Sequence, residues 1–175
     1  MTAIYEIAQL GADILRQIAE PITDVHSPET RDMIIALQTT LATSQGVGLA
    51  APQIGLSKRL IIVASRPTTR YPDAPLMEPT VMINPSYEIL SGEQEKDWEG
   101  CLSIPSIRAL VPRYLRILIR YTNQHGGPVE SEQEGFIARI FQHEIDHLDG
   151  KVYLDRVVDT RDIVAESEYF KRLRD

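Results

Sequence analysis

The sequence predicts an α+β fold, with antiparallel sheets packed around one central helix and a further helix at the C-terminal end. Three observations carry that expectation. Gly135-Phe136-Ile137-Ala138-Arg139-Ile140-Phe141-Gln142 presents a strongly apolar helical face and opens a helix expected from about Gly135 to Asp149. Ahead of it, Leu115, Ile117, Ile119 and Tyr121 alternate with Arg116, Leu118 and Arg120, the period of a half-buried strand. Helical patterns then flank a chain whose middle reads mostly as strands, the arrangement of an α+β protein. The 175 residues suit one domain, 1–175, large enough for a proper core.

The elements follow in order. Ser27-Pro28-Glu29 opens a helix with an N-cap, a proline at the first helical position and an acid in the first turn. Met33, Ile34, Leu37 and Leu41 continue it, and Gly46 is the expected end. Leu60-Ile61-Ile62-Val63-Ala64 reads as a buried strand and Val81-Met82-Ile83 as another. Between them Arg66 to Pro79 is rich in proline and reads as an exposed loop. Asn123 to Pro128 is a turn, and Val129 to Glu134 a polar strand that completes a hairpin leading into the central helix. Gly150 takes the C′ position of that helix. Asp159 to Leu173 reads as the C-terminal helix, with Ile163, Val164, Phe170 and Leu173 as its apolar positions.

Composition narrows the function. Hydrophobic residues make up 43% and charged residues 25%, ordinary for a globular protein. No apolar run is long enough for a transmembrane helix, and Met1 to Glu6 lacks the basic and apolar regions of a signal peptide, so a cytoplasmic location and no membrane partner are expected. A net charge of −7 argues against DNA binding over the whole surface. The one cysteine, Cys101, rules out an intramolecular disulfide, and its neighbours, Asp97-Trp98-Glu99-Gly100-Cys101-Leu102-Ser103, are not those of a buried apolar cysteine.

His143-Glu144-Ile145-Asp146-His147 is the stretch that carries chemistry. Residues four apart share a helix face, so both imidazoles can reach one metal ion. Glu144 sits about 100° round the helix, suited to a proton from metal-bound water and poorly placed as a third ligand. A catalytic site of this type needs three protein ligands. Downstream there is no further histidine; upstream Cys101 is a soft donor, beside a glycine that allows close backbone approach. His26 and His125 sit in loop-like contexts and read as surface residues. Asp146, near a helix C-terminus where the dipole disfavours a carboxylate, is expected to pair with Arg113 or another arginine, or to hold a ligand histidine. In Gly46-Val47-Gly48-Leu49-Ala50-Ala51-Pro52-Gln53, two glycines two apart among small residues suggest a backbone pressed against something; the stretch lacks the Gly-Lys-Ser/Thr signature and the leading strand of a phosphate loop.

Taken together, Gly46 to Gln53, Glu99-Gly100-Cys101-Leu102-Ser103 and Gln142 to His147 resemble, in order, the three signature motifs of peptide deformylase. The likeness covers the chain from about residue 10, including the run Cys101 to Arg113 and Leu148-Asp149-Gly150. The resemblance implies an enzyme that removes the N-formyl group from the formyl-methionine of nascent polypeptides and releases formate. It implies Cys101, His143 and His147 as ligands of one divalent metal, with a metal-bound water as nucleophile. Fe²⁺ is the metal that the resemblance implies, with Zn²⁺, Ni²⁺ or Co²⁺ able to occupy the site; ligand chemistry alone would point to Zn²⁺ first. By resemblance Glu144 is general base and then acid, and the Gln53 amide and the Leu102 backbone N–H are oxyanion donors.

Val47, Phe136 and Ile140 correspond to the methionine slot, with plain core packing an equal reading for the last two. Gly48, Glu99 and Gly100 correspond to positions along the bound peptide, which would pair in extended form beside Val47-Gly48 and the strand after Cys101. Arg108 is a rim position by resemblance, for which ordinary surface ion-pairing is preferred. Some relatives touch the ribosome through the C-terminal helix; for Lys171-Arg172-Leu173-Arg174 a solvated helix end is preferred. HExxH alone would favour a zinc peptidase, and Cys101 with the Gly46–Gln53 loop speaks against it.

Overall fold

The computed structural model describes residues 5–68 and 71–173. Five strands form one antiparallel sheet: β1 (Gly48–Ala50), β2 (Leu60–Ser65), β3 (Met77–Ile89), β6 (Arg116–Thr122) and β7 (Pro128–Glu134), in the order β1-β2-β3-β6-β7. Three more form a smaller antiparallel sheet: β4 (Gln94–Cys101), β5 (Ile104–Tyr114) and β8 (Ile163–Ala165), in the order β4-β5-β8. Helix α1 (Pro28–Ala42) packs on β1 and β2, α2 (Gly135–Leu148) lies against strands of both sheets, and α3 (Glu166–Arg172) packs on β5. The α+β expectation with a central HExxH helix is met. No helix among the described residues is long and apolar enough to cross a membrane.

Strand β2 shows why its sequence is a continuous apolar run. Alternate side chains of a strand point to opposite faces. Leu60 and Ile62 pack with α1, while Ile61 and Val63 pack with α2 residues Ala138, Ile140, Phe141 and Ile145. Both faces are covered, so neither admits a polar residue.

Helix α1 starts as expected, with the Thr30 N–H donating to Ser27 Oγ at 3.0 Å and Pro28 at the first position. It stops at Ala42, short of Gly46. The Thr43 hydroxyl donates to the Thr40 carbonyl at 3.0 Å and the Ser44 hydroxyl to the Leu41 carbonyl at 2.9 Å, so side chains take the terminal acceptors before the glycine is reached.

Three other expectations change. β3 is much longer than Val81–Ile83. Prolines at 79 and 85 hid it: Pro85 sits at a register shift between Ile83 and Ser86, where a strand tolerates proline. Asn84, at φ 49°, takes the left-handed conformation there, and its amide exchanges two 2.8 Å hydrogen bonds with the Ile22 backbone. Second, Arg66 to Pro79 is not wholly loop, because β3 begins at Met77; Thr69 and Arg70 lie outside the described residues. Third, Asp159 to Leu173 is not one helix. Asp159 caps a single 3₁₀ turn, Ile163 and Val164 enter β8 against Ala109 and Arg108 of β5, and the helix is only Glu166–Arg172. The β-branched pair finds an open sheet edge, which outweighs helical spacing. Met1 to Ile4 and Arg174, used in the sequence reading, lie outside the described residues.

Gly150 ends α2 as expected, at φ 70°, and a Cβ there would sit 2.7 Å from the Arg16 carbonyl oxygen. Gly55 has φ 82° but open space around it. Gly150→Ala should therefore cost about 2–4 kcal/mol and Gly55→Ala about 1 kcal/mol. Urea denaturation of the two variants checks this; equal losses would mean that the close approach of the N-terminal segment contributes nothing.

Candidate metal centre

Helix α2 buries its polar motif. His143, Glu144, Asp146 and His147 are all buried, together with Gln142 and Arg139. Glu144 does not share its neighbours' direction: its carboxylate lies against Gly48 of β1, so closely that a Cβ on Gly48 would come within 2.4 Å of Glu144 Oε1. Cys101 comes from the other sheet. It closes the β4–β5 hairpin, where the register shifts between Glu99 and Cys101. Its Sγ lies 3.3 Å from His147 Nε2, and donor atoms of Cys101, His143 and His147 all fall within 4.8 Å of one another. One ion bound at about 2.0–2.3 Å from each ligand nearly spans that distance as it stands.

The thiol sulfur also accepts from the Ser103 backbone N–H and from Gln53 Nε2, each at 3.4 Å. The Gln53 amide is oriented from both sides, since its Oε1 accepts from the Ala50 N–H at 2.9 Å and its Nε2 donates to Ser103 Oγ at 3.1 Å. Its N–H edge therefore faces the sulfur.

Behind His143 stands a buried ion network. Its Nδ1 is 2.8 Å from Glu99 Oε2. Glu99 also accepts from Arg113 Nε at 2.8 Å, Arg113 Nη2 at 3.0 Å and Arg139 Nη1 at 2.9 Å. Arg113 Nη1 continues to Asp146 at 2.6 Å, and Arg156 Nη2 meets the other Asp146 oxygen at 2.6 Å. The Asp146–Arg113 pair is thus present. Glu99 lines the cavity with the other expected site residues, and both of its oxygens are held by Arg113, Arg139 and His143, so it also orients a candidate ligand histidine.

Charge in the site follows from this packing. Burial works against an ionised Glu99, yet the adjacent Arg113 guanidinium overrules it and holds the carboxyl well below the usual range. Glu144, without such a partner, is pushed up to about 7 by burial. Burial, with the positive field of His143, drives His147 well below the ordinary histidine range, so it stays neutral. At His143 burial opposes the charged form, but hydrogen bonds with Cys101 and Glu99 raise it well above that range. Glu144 Oε2 is buried at the cavity without a protein partner, a further sign of a site shaped for something beyond its own side chains. The donor set fits a soft-to-borderline divalent ion.

Val47, Gly48, Gly100, Leu102, Phe136 and Ile140 line the same cavity of about 50 Å³ as Cys101, His143 and Glu144. So do residues that sequence reasoning misjudged or passed over. Arg108 is not a surface residue; it is 1% exposed, its Nε donating to Glu166 at 3.1 Å, because the side chain lies over Gly100, where a Cβ would come within 2.8 Å of its Cζ. Tyr71 lines the cavity from the proline-rich segment, and an aromatic residue amid loop-forming residues was the only available signal. His26 and His125 are exposed and distant from this chemistry, as expected.

Fold and site together point to the metallohydrolase class, with two histidines and a cysteine as the candidate donor set. The family model of polypeptide deformylase matches residues 4–162. Peptide deformylase 2 of Nostoc sp. is 48% identical over 166 residues, covering 95% of this chain and 93% of that protein. Peptide deformylase 2 of Bordetella bronchiseptica is 46% identical over 156 residues, 89% of each chain. Among solved structures, the Met-Ala-Ser-bound class I type b peptide deformylase of Acinetobacter baumannii superposes with a TM-score of 0.85 at 44% identity, covering 90% of this chain and all (100%) of that one. The peptide deformylase of Thermotoga maritima gives 0.79 at 36% identity, covering 90% and 99%. The chain belongs to the polypeptide deformylase family.

Arg113→Met would leave Glu99 and Asp146 buried with too few cations, and should cost about 3–5 kcal/mol. Arg116→Met, at a pair with Glu132 whose side chains are 54% and 61% exposed, should cost under about 1 kcal/mol. Chemical denaturation measures both, and similar losses would mean that the buried network adds no more than a surface pair.

Proposed function

We propose that this enzyme removes the formyl group from N-formylmethionyl nascent peptides in the cytoplasm, using Cys101, His143 and His147 to hold one divalent metal. The observation that carries the reading is the donor set of Cys101, His143 and His147, within 4.8 Å of one another, beside a cavity lined by Cys101, His143 and the buried Glu144 carboxylate, with the oriented Gln53 amide 3.4 Å from the sulfur. Fe²⁺ is the metal expected from the family resemblance, with Zn²⁺, Ni²⁺ or Co²⁺ as alternatives. When bound, such a metal supplies Lewis acidity and lowers the pKa of a water.

The chain's own groups supply the rest. Glu144, desolvated and without a protein partner on Oε2, takes the proton from the attacking water and returns it to the departing amine. The Gln53 N–H edge and the Leu102 backbone N–H donate to the oxygen of the formyl group as charge develops on it. The close packing of Gly48 against the Glu144 carboxylate leaves little room beside it, which suits formyl and works against larger acyl groups. Val47, Phe136 and Ile140 form the slot for the methionine side chain, and the peptide lies extended between Val47-Gly48 and Gly100. Glu99 serves by holding His143. The whole described chain acts as one catalytic domain. Lys171 pairs with Glu168 at 2.7 Å and Arg172 packs over the Trp98 ring, which supports reading the end of α3 as a solvated helix terminus over a ribosome contact.

The test is formate release from formyl-Met-Ala-Ser by protein purified without oxygen, with bound metal measured in the same sample; the tripeptide is chosen because the Acinetobacter neighbour binds Met-Ala-Ser. Turnover with about one metal per chain is expected, whereas cleavage of internal bonds in an unformylated peptide would favour a peptidase. Glu144→Gln should keep the shape of the site and abolish nearly all turnover; activity near the parent level would remove Glu144 from the proton-transfer role. Gln53→Ala should lower the chemical rate by roughly 10²–10³, and an unchanged single-turnover rate would reject it as a donor. Chelation should abolish formate release and Fe²⁺ should restore it; activity that persists in protein free of metal would sink the metal-centred reading.

A further inference from the structure

Tyr71 comes from a segment that reads as an exposed loop, yet it lines the cavity shared by Cys101, His143 and Glu144. The segment is tied down there. Thr68 and Tyr71 exchange backbone hydrogen bonds of 3.0 and 3.1 Å, the Ala74 N–H donates to the Tyr71 carbonyl at 3.2 Å, and Ala74 is buried. The ring is held at both ends. It packs against Phe136 with centroids 4.8 Å apart at 51°, and its hydroxyl accepts from Arg108 Nη1 at 2.9 Å.

Arg108 is itself immobile. It is bound to Glu166, lies over Gly100, and has the rings of Tyr71 and Tyr169 with centroids 5.4 and 5.3 Å from its Cζ. Such a buried guanidinium, held by an acid and two aromatic rings, does not swing aside without leaving its charge unpaired.

Building on the deformylase reading above, we propose that Tyr71 is a specificity-determining residue. Its ring forms one wall of the slot for the first side chain of the peptide, with Phe136 and Ile140, and Arg108 is the positioning residue that keeps it there. An aromatic wall anchored at its ring and its hydroxyl cannot retreat from a bulky side chain. It offers a flat apolar surface to a long, unbranched thioether, for which contact with aromatic rings is favourable. A short first side chain does not reach the wall and gains nothing from it.

The experiment compares the parent enzyme with Tyr71→Ala on formyl-Met-Ala-Ser, formyl-Ala-Ala-Ser and formyl-Phe-Ala-Ser. The preference for Met over Ala in kcat/KM should fall roughly tenfold, mostly through KM. Circular dichroism and thermal unfolding report that the variant is folded, and formyl-Phe-Ala-Ser should gain on formyl-Met-Ala-Ser. A uniform fall on all three substrates, or an unchanged Met preference, overturns the proposal. Titration calorimetry of Met-Ala-Ser against Ala-Ala-Ser on the metal-loaded proteins reads the same wall without turnover. A lost preference for Met-Ala-Ser in Tyr71→Ala supports it and an unchanged one refutes it. If the parent releases formate from none of the three substrates, the deformylase reading fails, while the calorimetry still decides the wall.

Discussion

Glu99 and Asp146 are carboxylates sealed away from water, and the arginines that neutralise them also decide where His143 stands. An ionised carboxylate in such surroundings is costly unless every oxygen is met. Here Arg113 reaches both acids, Arg139 adds a second donor to Glu99 and Arg156 a second to Asp146. The network joins β4, β5, α2 and the 3₁₀ turn at Tyr153–Arg156. It therefore ties the smaller sheet to the central helix, and it does so immediately behind a candidate metal ligand. The dipole at the end of α2 would repel Asp146; two guanidinium groups reverse that preference.

The same packing separates the carboxylates by role. Glu99 and Glu144 are both buried, but only Glu99 faces arginine. One is held ionised as a fixed hydrogen-bond acceptor; burial pushes the other up to about 7. Gly48 makes the second outcome reachable, because any side chain there would displace Glu144. The glycines of the two motifs are thus contact surfaces for reactive groups, with no need of unusual backbone angles: neither Gly48 nor Gly100 has a positive φ.

What the sequence made legible was whatever is local. The HExxH spacing, the Ser27-Pro28 helix start, the Gly150 helix end and the alternation from Leu115 to Tyr121 each rest on contacts within a few residues. Signals that depend on a distant partner were hidden. β4 is exposed and charged along Gln94 to Asp97, so no apolar alternation marks it; it exists because β5 pairs with it. Ile163 and Val164 had helical spacing, and only the open edge of β5 makes them a strand. Arg108 looked like any surface arginine because its burial depends on Gly100, Tyr71 and Glu166, each supplied by a different part of the chain. In the candidate site, the residues that converge could be read from the three motifs, whereas the pairing of Glu99 with Arg139 and the position of Tyr71 at the cavity required the tertiary packing.

Strand β5 shows how few residues need to be placed for the site to hold. Arg108 and Arg113 are an odd number of positions apart, so in an extended strand they leave from opposite faces. On the face toward α2, Arg113 grips Glu99; on the other, Arg108 lies over Gly100. The residues immediately before Cys101 are therefore clamped from both sides of the smaller sheet. Neither arginine could do this alone: Arg113 by itself would leave the backbone at Gly100 free to tilt, and Arg108 by itself would leave His143 without an oriented acceptor. The candidate sulfur donor and the first candidate imidazole are thus positioned by one strand, and Glu166, at the start of α3, fixes the outer half of that clamp.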